Sequence, residues 1–303
     1  MAQQNYRVEN AIGMWIRSQP VVDEASKIAL LPHGQLVTKI ADSNDPDWWQ
    51  VATTFQGEDL QGFSKHALMV PDSEFQPPPA ASGVIEVHLQ RSTPVTRNQK
   101  GLEAFKLNES PHPSRNPGGT AQRKAADIGQ IITWLAVSQN KRYERTATET
   151  FCNIYAYDFC CLAGVFVPRV WWTPEAIQKL IAGQTVVPKY AVTVDEITAN
   201  QIALWFRDYS QIFGWRKTES LTELQQAANQ GSVCIINAQR AIGHGHICAI
   251  VPETGSHQAE WDNAHQQVVK PLTSQAGGHN FEYKPYRWWT DGTYRNIGFW
   301  IHD

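Results

Sequence analysis

Short alternating runs of apolar and polar residues fill the first seventy positions of the chain. Three of these runs are Trp15-Ile16-Arg17, the segment from Gln35 to Ile40, and Trp48-Trp49-Gln50-Val51. Turn-forming residues separate them, as in Leu31-Pro32-His33-Gly34. Short strands at such close spacing are typical of a small barrel. The pattern therefore predicts a small all-β domain over residues 1–72.

Prolines punctuate the segment that follows. They occur in Gln76-Pro77-Pro78-Pro79, in Pro111-His112-Pro113 and in Asn116-Pro117-Gly118-Gly119. Because proline fixes φ and lacks a backbone donor, this spacing favours an extended linker. We expect residues 73–119 to be a Pro-rich linker, in which residues 84–89 could form one strand packed on either neighbouring domain.

From residue 120 onward the apolar spacing becomes helical. Ile128, Ile131, Ile132 and Leu135 share one face of a helix predicted over residues 121–137. Caps, prolines and glycines predict four more helices, over residues 152–164, over residues 174–183, from a capping box at residues 193–196, and over residues 220–231.

The last seventy residues change to apolar runs of strand length. These runs cover residues 233–237, 247–251, 268–273 and 296–301. Helices followed by antiparallel strands are typical of an α+β fold. We expect residues 120–303 to form one α+β domain, with helices packed on an antiparallel sheet.

Composition and charge exclude several classes of partner. A net charge of -3 over 303 residues provides no electrostatic footprint for nucleic acid or for an anionic membrane. The first ten residues lack the features of a secretory signal, and no apolar run is long enough for a membrane span. We therefore expect a soluble chain made in the cytoplasm, which would need another route to reach a substrate outside the cell.

One of the five cysteines stands in a setting that suits catalysis. The cysteines are odd in number and confined to the second half of the chain, which argues against a disulfide framework. Cys152 is placed at a predicted helix start, where unpaired N–H groups and partial positive charge favour a thiolate. Cys152 is thus the candidate nucleophile, and the alternative is a small buried residue.

Two polar residues near predicted strand ends complete a candidate constellation. His246 opens an apolar strand after the glycine turn Gly243-His244-Gly245, which suits a general base paired with a distant thiol. A surface loop histidine is the alternative. Gln275, at the end of the next predicted strand, can accept the other ring N–H and fix the tautomer. Asn280 and Glu253 are substitutes for it, and Gln275 could instead be a turn residue.

The N-terminal segments resemble a known family of small barrels. The series Met14 to Pro20, Leu31 to Gly34, Trp48 to Val51 and Gly62-Phe63-Ser64 resembles the bacterial SH3-like family. The resemblance covers about a fifth of the chain. It implies a targeting domain that binds wall peptides or contacts an attached wall-active enzyme.

The second half of the chain resembles papain-like hydrolases of the CHAP and NlpC type. The likeness is one of order: Cys152 at a helix start, a strand after the glycine turn at residues 229–233, the Gly245-His246-Ile247 strand, and a polar residue on the strand after it. It spans roughly residues 120–303. It implies a cysteine endopeptidase or amidase in which Cys152 attacks an amide of a peptidoglycan stem peptide, His246 is the base and Gln275 orients it. A thioester intermediate is implied and no cofactor is required.

Aromatic and basic residues supply candidate substrate contacts. Trp171 and Trp172 could line a groove, Arg169 could hold a substrate carboxylate, and Asn280 is placed close to the predicted base. Core packing is the alternative for the tryptophans, and an ordinary salt bridge is the alternative for Arg169.

Three other functions fit the same residues. A thiol–imidazole pair would serve a protease or deamidase effector with a protein target equally well, and then a delivery apparatus or an inhibitor protein would be a partner. A zinc-dependent amidase would use His244 and His246 with His257, His265 or His279. A binding module would use no catalysis at all.

Overall fold

The computed structural model describes residues 4–9, 14–31, 34–55, 58–75, 83–240, 242–262 and 264–303. The chain divides into two compact units, Met1–Ala80 and Ala81–Asp303. The predicted proline run at residues 76–79, and part of the predicted turn at residues 31–34, lie outside the described residues.

The first unit is built from antiparallel strands. Its described strands are β1 (Gln4–Val8), β2 (Met14–Arg17), β3 (Lys27–Leu31), β4 (Leu36–Asp42), β5 (Trp48–Phe55), β6 (Glu58–Lys65) and β7 (Met69–Pro71). They form one sheet in the order β3-β2-β6-β5-β4-β1-β7. All of its pairings are antiparallel.

Alternation along these strands explains the core of the first unit. Met14 and Ile16 are buried two positions apart on one strand, and Val37 and Val51 are buried on the strands across the sheet. Period-two spacing places such residues on the same face of a sheet. The small core is completed by Val8, Leu31 and Met69.

The second unit is an α+β fold, as predicted. Its described helices are α1 (Ala121–Leu135), α2 (Cys152–Leu162), α3 (Pro174–Ile181), α4 (Ala199–Tyr209) and α5 (Leu221–Asn229). Its described strands are β8 (Val170–Trp172), β9 (Val194–Glu196), β10 (Arg216–Thr218), β11 (Val233–Arg240), β12 (His246–Ile250), β13 (Glu260–Asp262), β14 (Gln267–Lys270), β15 (Leu272–Gln275), β16 (Phe281–Pro285) and β17 (Tyr294–His302).

A curled antiparallel sheet in the order β10-β17-β11-β12-β15-β16 forms the centre of the second unit. Successive residues of its strands belong to two different cores. Val233 and Ile235 pack with α1, α2 and α4, whereas Cys234 and Ile236 pack on the other side with Leu224 of α5. A strand covered on both faces is apolar throughout rather than alternating, which is why residues 233–236 read as a continuous apolar run.

The segment predicted as a linker differs from expectation. The boundary between the units falls after Ala80, and Val84, Val87 and Leu89 are buried in the core of the second unit. Leu89 forms an isolated bridge with Phe105 rather than a regular strand. The prolines prevent regular hydrogen-bond ladders, but the apolar residues between them still bury their surface.

A buried ion pair fixes this segment to α2. The guanidinium of Arg142 bonds both carboxylate oxygens of Asp158, at 2.6 and 3.1 Å, and donates to the carbonyls of Leu102 and Phe105. Tyr143 adds a hydroxyl bond of 3.0 Å to Asp158. Because a buried charge must be paired, this network holds α2, and with it the Cys152 end of the helix, against residues 102–105.

Two local predictions were wrong. Residues 194–196 form strand β9, and the capping box belongs instead to Thr198 and Gln201 at the start of α4. The predicted strand over residues 268–273 is divided at Pro271 into β14 and β15, since proline cannot donate to a ladder.

Every helix in the described parts of the chain is too short or too polar to traverse a lipid bilayer.

Candidate active site

Cys152 is the first residue of α2, as predicted. Its N-cap residue, Phe151, makes no side-chain capping bond, so the first N–H groups of the helix are left for other acceptors. The backbone N–H groups of Cys152, Asn153 and Ile247 lie near enough to the sulfur to lower its pKa. The thiol therefore lies where the start of α2 meets strand β12.

Burial has a larger effect on the pKa of the Cys152 thiol than these N–H groups have. Cys152 is 3% exposed, and burial raises its pKa to about 11, although the three N–H groups and the positive charge of Arg169 act in the opposite direction. The N–H groups at the helix start act in the direction that the sequence predicted, but burial has the larger effect. Removal from water disfavours a charged sulfur more than the helix terminus stabilises it.

His246 is hydrogen-bonded to Gln275. Its Nε2 atom lies 2.7 Å from Oε1 of Gln275, while Nε2 of Gln275 donates to the carbonyl of His279 at 3.2 Å. The second bond fixes the amide orientation, so Oε1 must be the atom that faces the ring. A carbonyl oxygen only accepts, so Nε2 of His246 carries the proton and Nδ1 is left as the unprotonated nitrogen.

The imidazole is neutral in its resting state. Burial lowers the pKa of His246 to about 4, and the charge of Arg240 contributes in the same direction. The hydrogen bond that His246 donates to Gln275 acts in the opposite direction and raises the pKa. A neutral ring with a free Nδ1 can accept a proton from a neighbouring group.

Two further contacts hold the ring of His246 in place. Trp288 meets it edge-on at a centroid distance of 4.6 Å, and the indole N–H of Trp288 bonds the sulfur of Cys248 at 3.3 Å. On the other side, a Cβ at Gly277 would lie 3.2 Å from Cε1 of His246 and 3.1 Å from Nε2 of Gln275. Gly277 is therefore packed against both members of the pair.

The antiparallel order of the sheet brings these groups to one edge. Strand β11 ends at Arg240, β12 begins at His246, β15 ends at Gln275 and β17 begins at Tyr294, and all these strands are adjacent in that sheet. The sulfur of Cys152 lies near the N–H of Ile247, the residue after His246. Cys152 packs in the core that contains α2, whereas the ring of His246 contacts Trp288, which belongs to the core on the other side of the sheet. Among the described residues the sulfur has no hydrogen bond with the imidazole ring itself.

The residues predicted to bind substrate on β8 are buried. Trp171 packs among Phe166, Trp205, Tyr209 and Phe213 at centroid distances of 5.0 to 6.1 Å. The indole N–H of Trp172 bonds the carbonyl of Ile85 at 2.9 Å. These contacts place both tryptophans in the core, the alternative that the sequence left open.

Arg169 is also committed to the protein. It is 5% exposed, pairs with Glu196, and donates to the carbonyls of Glu103 and Ile197. Burial lowers its pKa to about 10. The guanidinium is thus part of the packing behind Cys152 and is not presented to a ligand.

Asn280 and Glu253, the substitutes for Gln275, are occupied elsewhere. The side-chain amide of Asn280 donates to the carbonyls of Val137 and Tyr143, and its oxygen accepts from the N–H of Gly277. Glu253 accepts from Asn229, Ala259 and Trp261. Asn280 therefore shapes the loop beside His246, and Gln275 is the residue that the fold brings to the ring.

The histidines proposed as zinc ligands do not converge. His257 stacks on Tyr283 at 4.5 Å, and Nδ1 of His265 pairs with Asp262 at 2.7 Å, while His246 faces Gln275. Across the described ranges, no three His, Cys, Asp or Glu side chains are grouped to hold a metal ion.

Sequence reasoning did not connect Trp288, Tyr294 or Gly277 with His246. Tyr294 packs on Trp288 at 4.8 Å and carries the guanidinium of Arg240 over its ring at 4.6 Å. The tryptophan and tyrosine lie more than forty positions from His246 along the chain, so no local spacing joined them to it. The pair Gly277-Gly278, two positions after Gln275, was the one available signal, since adjacent glycines permit close approach of other groups.

Comparison with known proteins adds little to this geometry. No family model matches the chain, and no curated protein matches it. Among solved structures, NlpC2 from Trichomonas vaginalis matches with 9% identity and a TM-score of 0.25, over 99% of this chain and 72% of the other. A likeness at that TM-score carries no argument about fold or function.

Proposed function

We propose that this protein is a cysteine-dependent amide hydrolase, an endopeptidase or amidase acting on stem peptides of peptidoglycan, with Cys152 as nucleophile and His246 as base. The observation that carries the proposal is the 2.7 Å bond between His246 and Gln275. It fixes the tautomer whose free Nδ1 can take a proton, and the N–H of the next residue, Ile247, lies near the Cys152 sulfur.

The neutral thiol and neutral imidazole define the first step. Nδ1 of His246 takes the thiol proton as the sulfur attacks the carbonyl carbon of the substrate amide. An S–C bond forms, the C–N bond breaks, and the imidazolium returns that proton to the leaving amine. Water, deprotonated by the same nitrogen, then hydrolyses the thioester to a carboxylic acid and restores the thiol. Gln275 accepts the Nε2 proton's hydrogen bond throughout and stabilises the imidazolium.

Helix α2 supports the charge that develops on the substrate oxygen. The N–H groups of Cys152 and Asn153 lie near enough to the sulfur to lower its pKa, so we expect a carbonyl attacked by that sulfur to lie within their reach. Donors fixed by a helix terminus need no reorganisation when an oxyanion forms. Because Cys152 is 3% exposed and His246 9% exposed, a substrate reaches the sulfur only when neighbouring side chains move aside. The proposed proton transfer requires the sulfur and Nδ1 of His246 to come within hydrogen-bond reach in that state.

The N-terminal unit fits the same proposal as an SH3-like targeting domain. Its short antiparallel strands and small core are of the kind that the sequence resemblance implied, and a targeting domain would raise the local concentration of enzyme at a polymeric wall.

Mass spectrometry of muropeptides tests this function. Purified peptidoglycan is digested with wild type, with Cys152→Ala and with Cys161→Ala, a matched control that removes a half-buried thiol from the same helix. We expect the same amide to be cleaved by wild type and by the Cys161 variant, and no cleavage by the Cys152 variant.

Two results would contradict the proposal in different ways. Equal cleavage by Cys152→Ala would rule out the thiol mechanism. Failure of wild type to cut any wall amide, together with Cys152-dependent cleavage of proteins in a lysate, would move the substrate from the wall to a protein target and retain the chemistry.

A further inference from the structure

The described arginines near the candidate site differ in whether they are free to meet a ligand. Arg169, which the sequence nominated to hold a substrate carboxylate, is buried and fully paired. Arg145 is exposed and donates to the carbonyl of Gly278 at 3.0 Å, and no carboxylate of the described residues lies within ion-pair distance of it. A guanidinium group has five N–H donors. Arg145 uses one of them in its bond to the carbonyl of Gly278, so the others are available to a ligand.

Arg240 lies on the opposite side of the site and is also incompletely used. Its guanidinium rests on the ring of Tyr294, and one terminal nitrogen reaches Asp291 at 3.3 Å on the surface. Its Nε atom has no hydrogen-bond partner among the described residues. The ring contacts from Arg240 to Tyr294, from Tyr294 to Trp288, and from Trp288 to His246 connect it to the base.

The topology places these two arginines on either side of His246. Arg240 ends β11, and Gly278 follows the end of β15, while His246 begins β12 between those strands. Neighbouring strands are about 4.8 Å apart, so the ends of β11 and β15 are separated by roughly 10 Å. An extended peptide of about three or four residues, at about 3.3 Å per residue, would span that edge.

We propose that Arg145 and Arg240 make this site selective for an acidic peptide, holding one carboxylate on each side of the amide next to His246. The inference rests on the proposed function and names the substrate class of the same site. Arginine recognises carboxylates by paired N–H donors, so free carboxylates bind and their carboxamides, which lack the charge, bind less well.

Binding to an inactive variant tests this selectivity without relying on turnover. In the Cys152→Ala background, fluorescence anisotropy would measure the affinity of a labelled synthetic stem peptide with free carboxylates and of the same peptide with carboxamides. We expect Arg145→Gln and Arg240→Gln each to weaken binding of the free-acid probe about tenfold. Binding of the amidated probe should change little.

Arg295→Gln is the matched control. Arg295 is an exposed arginine adjacent to Tyr294 on β17, and strand alternation directs it to the other face of the sheet. It should leave both affinities unchanged. Equal effects of all three substitutions on binding would overturn the inference. So would equal affinity of the two probes for the Cys152→Ala protein with all its arginines intact, or failure of both probes to bind to it.

The result is separable from that of the proposed function. Cleavage that depends on Cys152 but ignores the charge of the peptide would retain the hydrolase and remove the acidic selectivity. Cleavage that persists in Cys152→Ala would remove the hydrolase mechanism, whatever the arginine variants bind.

Discussion

The edge of the central sheet and the cluster around β8 both contain residues that the sequence nominated for function, yet the fold uses them differently. At the sheet edge, His246 and Gln275 share one hydrogen bond, and the Cys152 sulfur lies near the backbone N–H of Ile247. Around β8, Trp171 and Arg169 are enclosed by other rings and by carbonyl oxygens. Polar residues at strand ends are constrained by topology, whereas an aromatic or basic residue within a short strand is free to join the core.

The largest expected effect is a loss of stability and concerns the residues packed around β8. Arg169→Met removes one donor each from the carbonyls of Glu103 and Ile197 and from the carboxylate of Glu196, so the free energy of unfolding should fall by about 3 kcal/mol, at about 1 kcal/mol for each lost hydrogen bond. Urea denaturation would measure it. Arg207→Met, which removes an exposed pair with Asp208, should change stability by less than about 1 kcal/mol. Equal effects would show that Arg169 is not structural.

The next effect is the pH dependence of stability that His246 causes at the sheet edge. Burial lowers the folded-state pKa of His246 from 6.5 to about 4, so folding favours the neutral ring. The resulting stability is fully present above pH 6.5 and is lost as the pH falls from 6.5 through about 4, by on the order of 3 kcal/mol.

Unfolding curves at several pH values would check this expectation. His246→Gln should flatten the decline between pH 6.5 and 4, while His244→Gln, an exposed neighbour in the same loop, should not. His88, whose pKa burial also lowers to about 4, supplies the part of the decline that remains. A decline unaffected by His246→Gln would mean that the ring is not held neutral by burial.

A catalytic effect should separate Gln275 from its strand neighbours. Gln275→Ala removes the acceptor that fixes the His246 tautomer, so kcat should fall roughly 10- to 100-fold, equivalent to about 1.4–2.7 kcal/mol. Thr273→Ala, two positions away on β15 and bonded only to a backbone carbonyl at 2.9 Å, is the matched control. If Gln275→Asn restores part of the activity and alters the acid limb of the pH–rate profile, then Gln275 acts by positioning His246. A loss of stability alone would not alter that limb.

The smallest effect tests how closely the site is packed. Gly277→Ala places a Cβ 3.1–3.2 Å from Gln275 and the His246 ring, so the pair must shift by a few tenths of an ångström. We expect a several-fold loss of kcat, corresponding to about 1 kcal/mol. Gly278→Ala, whose Cβ would meet nothing within 4 Å, should have no effect. Similar losses for both variants would contradict the packing argument.

Much of the fold could be read from local patterns, and part of it could not. The spacing of Ile128, Ile131 and Leu135 predicted α1, and Thr173-Pro174 predicted the start of α3. The capping box at residues 193–196 misled because β9 pairs with β8, and pairing partners are invisible in a local window. For residues 84–89 the sequence left open which neighbour they pack on, and only the assembled core shows that Val84 and Val87 are buried in the second unit.

By itself, the sequence determined which residues could carry the chemistry: a cysteine at a helix start, a histidine after a glycine turn and an amide at the end of the next strand. Tertiary structure decided which of them meet, which arginine stays exposed and how burial sets the protonation of Cys152 and His246. The physical reason is that residue type and capping act over a few positions, whereas desolvation and strand order depend on neighbours that are distant along the chain.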